Sequence, residues 1–236
     1  MNADEVRETL RERLASIEQR IVAACQRSRR RREDMTLVAV TKTVSAAVAA
    51  LLPSLGIRDL GENRPQELWS KSAELPKDVR WHLIGHFQRN KVDRTLPLTH
   101  LIHAVDSVRL AEAISKEAVK QQRIAEVLLE CNVSGEESKQ GLTPNAVAEV
   151  AHKIAGLPSL RVRGLMTMAP FHDDPEQCRP VFVALRQLRD RIAPQLDSSH
   201  RFAELSMGMT NDFEVAIEEG ATFIRVGTAL FEGLSS

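Results

Sequence analysis

The order of hydrophobic and polar positions predicts one long helix, followed by alternating strands and helices. Residues 3–31 carry apolar side chains such as Val6, Leu10, Leu14 and Ile17 at helical spacing, with charged residues between them. This spacing is typical of an amphipathic helix. After it, short apolar runs alternate with amphipathic stretches of roughly 10 to 20 residues, which is the order that a parallel sheet requires.

Eight of the apolar runs are candidate strands. They cover residues 36–42, 58–63, 80–85, 100–106, 125–133, 160–169, 203–208 and 222–231. No linker rich in Pro, Gly or Ser interrupts them, so we expect a single α/β domain over residues 1–236, with its barrel in 36–231. Eight strands, each followed by a helix, fit a small (β/α)8 TIM barrel with an extra N-terminal helix. A doubly wound open sheet is the alternative, which the strand count disfavours.

Composition and charge narrow the class of protein. The 32 Lys and Arg residues balance 32 Asp and Glu residues, so no overall attraction to nucleic acid or membrane is implied. The basic stretch 27–34 is either a solvated helix end or a phosphate-binding patch. No apolar run is long enough to span a bilayer. Cys25, Cys131 and Cys178 are an odd number without metal-ligand spacing, which favours reduced thiols in the cytoplasm.

The carboxyl ends of the predicted strands are polar, and in a barrel these ends form the active site. In chain order they carry Lys42, Asn63, His82, His86, Asp106, Asn132, Thr167, Ser206, Met207, Arg225, Gly227 and Thr228. Among them, His82 is typical of a hydrogen-bonded core histidine, and a role at the rim of the site is the alternative.

The ends of strands seven and eight favour an anion site, because phosphate sites in barrels commonly form from the loops after these two strands. Ser206 supplies a hydroxyl group, and Gly208 makes the backbone accessible. Gly227 and Thr228 offer backbone N–H groups and a second hydroxyl group. The alternative is that both segments are ordinary strand-to-helix turns, which are rich in these residue types.

Two basic residues, Arg225 and Lys42, bear on the hypothesis of an anion site. By strand alternation Arg225 faces the barrel interior, where a guanidinium group needs a partner or a ligand. It could pair with Glu204 or Glu232, or it could bind an anion. Lys42 ends the first strand, either reaching water or acting as a nucleophile in a partly desolvated site. An amine and an anion site in one cavity suggest a phosphorylated carbonyl compound held as a Schiff base.

Several segments, in order, resemble one known family. They are "VAVTKT", "GENRPQE", "WHLIGHFQRNK", "HAVDS", "ECNVSGEESKQGL", "GLMTMAP" and "LSMGMTNDFEVAIEEGATFIRVGTALFEG". From about residue 36 to the C-terminus the chain is similar to the pyridoxal-phosphate homeostasis protein family. The resemblance implies the barrel of the fold-type III pyridoxal-phosphate proteins, similar to the N-terminal domain of alanine racemase. It also implies that pyridoxal 5'-phosphate (PLP) is bound covalently at Lys42.

The resemblance also implies roles for the other matching residues. Asn63 would contact the ring side of the site, and Arg225 would face the pyridine nitrogen. The phosphate would be held by Ser206, with Met207 beside it, and by Gly227 and Thr228. In the polar loop 134–141, Lys139 is a speculative second amine beside the cavity.

The chain contains no tyrosine, and its predicted barrel ends at residue 231 of 236. Alanine racemases similar to this barrel take their second base, a tyrosine, from a C-terminal domain. We therefore expect a PLP-binding protein that holds the cofactor as a Schiff base, buffers it or delivers it to apo-enzymes, and has little or no catalytic activity. The alternatives are a racemase-like PLP enzyme and a Schiff-base aldolase, for which only Asp106 offers a carboxylate. We further expect a cytoplasmic monomer that binds neither nucleic acid nor membrane.

Overall fold

The computed structural model describes residues 2–136 and 140–234, so the predicted second amine, Lys139, lies outside the described residues. Eight parallel strands close into a barrel in chain order, with the last strand paired to the first. The strands are β1 (Thr36–Val40), β2 (Asp59–Glu62), β3 (Arg80–Leu83), β4 (Thr99–Val105), β5 (Ala125–Glu130), β6 (Leu160–Met166), β7 (Glu204–Ser206) and β8 (Phe223–Val226). The predicted TIM barrel is confirmed, and the open-sheet alternative is wrong.

Helices connect the strands, as the βα alternation predicts. In the described residues they are α1 (Ala3–Arg27), α2 (Ala46–Ala49), α3 (Pro65–Glu74), α4 (Val92–Thr95), α5 (Val108–Lys120), α6 (Pro144–Ala155), α7 (Arg179–Ile192), α8 (Phe213–Glu218) and α9 (Thr228–Phe231). Since parallel neighbours must be joined by a crossover, each connection returns the chain to the same end of the barrel.

The N-terminal helix α1 begins at Ala3, after a capping box formed by Asn2 and Glu5. The Asn2 side chain accepts hydrogen bonds from the backbone of Asp4 and Glu5, and the Glu5 carboxylate accepts from the Asn2 N–H at 2.8 Å. The helix ends at Arg27 rather than at residue 31, because Arg29 adopts a left-handed conformation with φ of 56°.

The basic stretch 27–34 contacts carboxylates of the same chain. Arg27 pairs with Glu218 at 2.6 Å, and Arg32 pairs with Glu18 at 2.6 Å. These contacts favour the solvated helix end over the phosphate-binding patch, since the charges of both arginines are already compensated.

The hydrophobic core has two parts. The larger part lies between the strands and the surrounding helices, and includes buried residues of α1 such as Leu10 and Ile21. A smaller cluster fills the barrel interior and consists of Leu101, Ala104, Leu128 and Met166, packed against Phe223. The interior is therefore apolar only in a narrow belt, above and below which polar side chains lie.

Seven of the eight strands are shorter than predicted, and most of the missing residues lie at the carboxyl end of the barrel, as β1 and β8 illustrate. β1 ends at Val40, two residues before Lys42. β8 ends at Val226, after which Gly227 opens the short helix α9. A short apolar run such as "TALF" does not distinguish strand from helix by periodicity. The pattern therefore predicted a single strand over 222–231, where the structure has β8 followed by α9.

The cysteines and the hydropathy of the helices concern two further expectations from the sequence. Cys25, Cys131 and Cys178 are buried thiols rather than disulfides. Across residues 2–136 and 140–234, none of the helices combines the length and the apolar character needed to cross a membrane. Within the same residues, no group of His, Cys, Asp and Glu side chains is arranged to hold a metal ion.

Candidate functional site

A cavity of about 600 Å³ opens at the carboxyl ends of the strands. A volume of this size accommodates a small organic ligand. Its walls come from the segments after β1, β2, β3, β6, β7 and β8, and are formed by Val40, Lys42, Thr43, Asn63, Ile84, Gly85, His86, Met168, Pro170, Phe171, His172, Cys178, Met209, Thr210, Asn211, Asp212, Arg225, Gly227 and Thr228. This is the end of the barrel at which active sites form in the fold.

Lys42 lies in the turn after β1 and lines this cavity with an exposed side chain. Hydrogen bonds hold the backbone of the preceding residue, Thr41, in place. Lys71 Nζ donates to the carbonyl oxygen of Thr41 at 2.7 Å and to Glu62 Oε1 at 2.6 Å. The Thr41 hydroxyl group donates to the same Glu62 oxygen at 2.6 Å. A buried ion pair thus holds the backbone beside Lys42, whose own side chain faces the cavity, and its role as a nucleophile stays a prediction.

Arg225 projects from β8 into the barrel interior with a side chain that is almost fully buried. Its Nη1 donates to Ser206 Oγ at 2.6 Å, and its Nη2 donates to the carbonyl oxygen of Thr167 at 3.0 Å. Burial lowers the pKa of Arg225 to about 10, which leaves the group cationic at neutral pH. Glu204, one of the two partners that the sequence allowed, instead pairs with Arg163 at 2.8 Å.

The loops after β7 and β8 form a rim of small polar groups. Gly208 has φ of 91°, and an added Cβ would lie 2.6 Å from the Ala216 side chain, so only glycine fits this turn. Asp212 Oδ1 accepts from the backbone N–H of Met209 at 2.6 Å, which fixes the loop. Burial raises the pKa of the Asp212 carboxyl group. The loop thus presents Thr210 and Asn211 to the cavity beside Gly227.

Of the seven residues to which the resemblance assigns a role in cofactor binding, five line one cavity and two lie outside its wall. Lys42, Asn63, Arg225, Gly227 and Thr228 line one cavity. Ser206 is fully buried beneath Arg225, and Met207 packs in the core between strands and helices. The roles that the resemblance implies for all seven residues stay predictions.

His82 is a core histidine, since its side chain is fully buried inside the barrel. Its ring nitrogens lie 2.9 Å from His103 Nε2 and 3.0 Å from Asp59 Oδ1. This placement excludes the rim role that the sequence left open.

The segment after β6 contributes a wall that sequence reasoning missed. Phe171 is 75% exposed and Met168 is 40% exposed, and both line the cavity together with His172. The available signal was an aromatic residue in the polar stretch "APFHDDP", where no core position explains it.

The arrangement suits an anionic carbonyl compound. The cavity combines the Lys42 amine, the Arg225 guanidinium group, and the hydroxyl groups of Thr210 and Thr228. Gly85 allows a close approach, because an added Cβ would lie 2.5 Å from the carbonyl oxygen of Asn63. An amine can add to a carbonyl carbon, and guanidinium and hydroxyl groups can hold oxygen anions.

Comparisons with known proteins agree over nearly the whole chain. A family model described as alanine racemase, N-terminal domain, matches residues 13–235. The pyridoxal phosphate homeostasis protein of Aquifex aeolicus (strain VF5) is 42% identical over 221 residues, which cover 93% of this chain and 96% of that protein. The protein of the same name from Pseudomonas aeruginosa PAO1 is 38% identical over 224 residues, covering 94% and 95% of the two chains.

A solved structure extends the likeness to three dimensions. PipY of Synechococcus elongatus PCC7942, solved with PLP bound, superposes with a TM-score of 0.80 at 34% identity. The match covers 94% of this chain and 99% of that one. Since sequence and fold agree along almost the full length of these proteins, the chain belongs to the pyridoxal phosphate homeostasis protein family, within the family of the alanine racemase N-terminal domain.

Proposed function

We propose that this protein binds pyridoxal 5'-phosphate in the cavity, holds it as a Schiff base on Lys42, and buffers or delivers it inside the cell. The names of the relatives and the PLP bound to PipY support this function. The observation that carries the proposal is the meeting of Lys42, Arg225, Gly227 and Thr228 in one cavity of about 600 Å³.

The residues present fit the cofactor. Lys42 supplies the amine for its aldehyde, and Asn63 lines the same cavity. Gly227, Thr228 and Thr210 supply small polar groups for its phosphate. Asp212 lines the same cavity, and burial raises the pKa of its carboxyl group.

The charge of Arg225 supports a tether rather than a catalyst. When bound, PLP supplies a reactive aldehyde and an electron-withdrawing ring. A cationic arginine facing the ring nitrogen disfavours protonation of that nitrogen, which weakens the ring as an electron sink. Arg225 keeps its charge at neutral pH, because its pKa is lowered only to about 10. The chain also has no tyrosine to serve as the second base of a racemase.

The test is reductive trapping on the purified protein. Added PLP should produce the visible absorbance of a Schiff base, and borohydride followed by peptide mapping should place the pyridoxyl group on Lys42. Lys42→Ala should abolish both signals, because no other amine of the described residues lines the cavity. Lys120→Ala is the matched control, since Lys120 is an exposed lysine at the end of α5 and should leave both signals unchanged.

Three outcomes would each contradict a part of the proposal. A protein that takes up no added cofactor would exclude PLP binding, and an adduct on Lys139 in the Lys42→Ala variant with undiminished absorbance would move the attachment point. Exchange of the α-hydrogen of amino acids at enzyme-like rates would exclude the non-catalytic role.

Delivery is tested with a PLP-dependent apo-enzyme as acceptor. The loaded protein should restore the activity of the apo-enzyme, and an excess of a free aldehyde trap should show whether the cofactor passes through solution. We also propose that the protein is a cytoplasmic, single-domain protein and that it acts as a monomer. Size-exclusion chromatography with light scattering would test the monomeric state.

A further inference from the structure

A row of polar side chains crosses the barrel interior from its amino end to the floor of the cavity. Asp59 Oδ1 lies 3.0 Å from His82 Nε2, and His82 Nδ1 lies 2.9 Å from His103 Nε2. His103 Nδ1 lies 2.8 Å from Ser206 Oγ, which accepts from Arg225 Nη1 at 2.6 Å. We call these residues, which come from β2, β3, β4, β7 and β8, the polar row.

The polar row is sealed from solvent over most of its length. His82, His103 and Ser206 are 0% exposed, and Arg225 is 4% exposed. Phe223 packs against both histidine rings, with centroids 5.7 Å and 5.5 Å away. Because water cannot replace a lost partner here, each hydrogen bond of the row matters more than it would at the surface.

The two ends of the polar row set the direction of its hydrogen bonds. Burial by itself would raise the pKa of Asp59, but hydrogen bonds from Arg80 and His82 outweigh it and lower that pKa to about 2. The ionised carboxylate only accepts, so the hydrogen between Asp59 and His82 sits on His82 Nε2. At the other end, the Arg225 guanidinium group only donates.

One assignment of the hydrogens satisfies every member between these ends. Burial keeps the pKa of His103 well below its ordinary value, so this ring is neutral and carries one hydrogen. If that hydrogen is on Nε2, His103 donates to His82 and accepts the Ser206 hydroxyl hydrogen on Nδ1. Ser206 Oγ is then left to accept from Arg225. With the opposite tautomer, Ser206 would accept from both neighbours, and its own hydrogen would have no acceptor among the contacts of its oxygen.

We propose that His103 and Ser206 are positioning residues that hold the Arg225 guanidinium group at the floor of the cavity, in a row of hydrogen bonds running from Arg225 to Asp59. Asp212 and Glu130 are the acidic groups whose charges reach Arg225. Without its acceptor on Ser206, the guanidinium group is free to turn toward them. The role toward PLP rests on the proposed function, whereas the direction of the polar row does not.

This assignment gives Ser206 a task different from the one that the resemblance implies. Its hydroxyl hydrogen is directed to His103, so Ser206 acts through Arg225 rather than by donating to a ligand. The side chain is also fully buried and lies outside the cavity wall.

The direction of the row is tested without cofactor. Long-range proton–nitrogen NMR correlation on the cofactor-free protein, labelled with ¹⁵N-histidine and held near neutral pH, distinguishes the two ring tautomers. We expect both His82 and His103 to carry their hydrogen on Nε2 and none on Nδ1. A hydrogen on Nδ1 of His103 would overturn the proposal. Ser206→Ala should perturb the His103 Nδ1 resonance, because it removes the hydrogen that this atom accepts.

The positioning role is tested with two His103 variants. His103→Asn places an amide oxygen where Nδ1 lies and can still accept from Ser206, whereas His103→Leu removes both hydrogen bonds. We expect His103→Leu to weaken PLP binding roughly 10- to 100-fold, the loss typical of a hydrogen bond to a charged group, and to shift the visible absorbance of the bound cofactor. His103→Asn should recover most of the affinity. Equal losses in the two variants would contradict the positioning role.

Ser115→Ala is the matched control. Ser115 is 3% exposed, and its hydroxyl group donates to the carbonyl oxygen of Pro158 at 2.7 Å, away from the cavity. PLP affinity should be unchanged in this variant. If the wild-type protein takes up no PLP, the proposed function fails, and the histidine tautomers alone test the direction of the hydrogen bonds in the polar row. If the wild-type protein and His103→Leu bind PLP equally well, the positioning role fails and the proposed function stands.

Discussion

Two glutamates on the same strand show how the ends of the barrel differ. Glu126 and Glu130 lie on the same face of β5 as Leu128, which packs inside the barrel. At the amino end, Glu126 pairs with Arg161 at 2.5 Å and with Arg163 at 3.1 Å. At the carboxyl end, Glu130 is 4% exposed, and no ion pair reaches it among the residues that the structure describes.

The same contrast holds for the other charged groups. At the amino end, Arg163 also pairs with Glu204, and Asp59 accepts from Arg80 and from His82, so the charges there are compensated. At the carboxyl end, burial raises the pKa of Glu130 to about 7, and burial also raises the pKa of Asp212. Perturbed ionisable groups beside a cavity are typical of a functional site, whereas compensated charges close the barrel and stabilise it.

The Lys71–Glu62 pair is a compensated pair at the carboxyl end, and it allows the test with the largest expected effect. The two side chains are 5% and 0% exposed, so Lys71→Met leaves a buried carboxylate without its partner. We expect the free energy of unfolding, measured by urea denaturation, to fall by about 3–5 kcal/mol. Arg58→Met is the exposed control, because Arg58 and Asp78 are 48% and 56% exposed, and this variant should lose less than about 1 kcal/mol.

A double variant separates the charge from the packing in that test. Lys71→Met combined with Glu62→Gln should recover most of the lost stability, because no buried charge remains. If the double variant is as unstable as Lys71→Met alone, the loss comes from packing.

Glu130→Gln and Glu126→Gln should change stability in opposite directions. The pKa of Glu130 is raised from 4.5 to about 7, so the folded protein keeps a proton that the unfolded chain releases. The stability contributed by this proton is fully present below pH 4.5 and is lost as the pH rises through about 7. The free energy of unfolding of Glu130→Gln should therefore exceed that of the wild-type protein by up to about 3 kcal/mol at about pH 8. At about pH 4.5 the two values should differ little.

The free energy of unfolding of Glu126→Gln should be lower than that of the wild-type protein by about 1–2 kcal/mol at about pH 8. The substitution removes the carboxylate that pairs with Arg161 and Arg163. Urea denaturation of the three proteins across this pH range measures both effects. Two losses of equal size would show that Glu130 is as well compensated as Glu126, and the contrast between the two ends would then be wrong.

Phe171 should give the smallest effect on stability. It is 75% exposed on the cavity wall, so Phe171→Ser should change the free energy of unfolding by less than about 0.5 kcal/mol. PLP should nevertheless dissociate a few-fold faster, because the wall loses its apolar surface. Ile124→Ser, at a 54% exposed position next to the amino end of β5, is the control and should leave the dissociation rate unchanged. Equal dissociation rates in the wild-type protein and Phe171→Ser would mean that this wall does not contact the cofactor.

The sequence by itself determined the eight strands, their parallel order and the end at which polar residues gather. These follow from local patterns, since the alternation of strands and helices and the right-handed crossover leave few topologies. Because the carboxyl ends of the strands meet, Lys42, Asn63, Arg225, Gly227 and Thr228 could be assigned to one cavity before any coordinates were known.

Only the tertiary structure decided how deeply each side chain is buried and which groups it contacts. Ser206 accepts a hydrogen bond from Arg225, Met207 packs in the core, and Glu204 forms an ion pair with Arg163. His103 and Ser206 are 103 positions apart, yet a hydrogen bond joins them. Such contacts depend on strand register, on the tilt that closing a barrel imposes and on the volume of neighbouring side chains, and none of these is encoded in the local pattern around either residue.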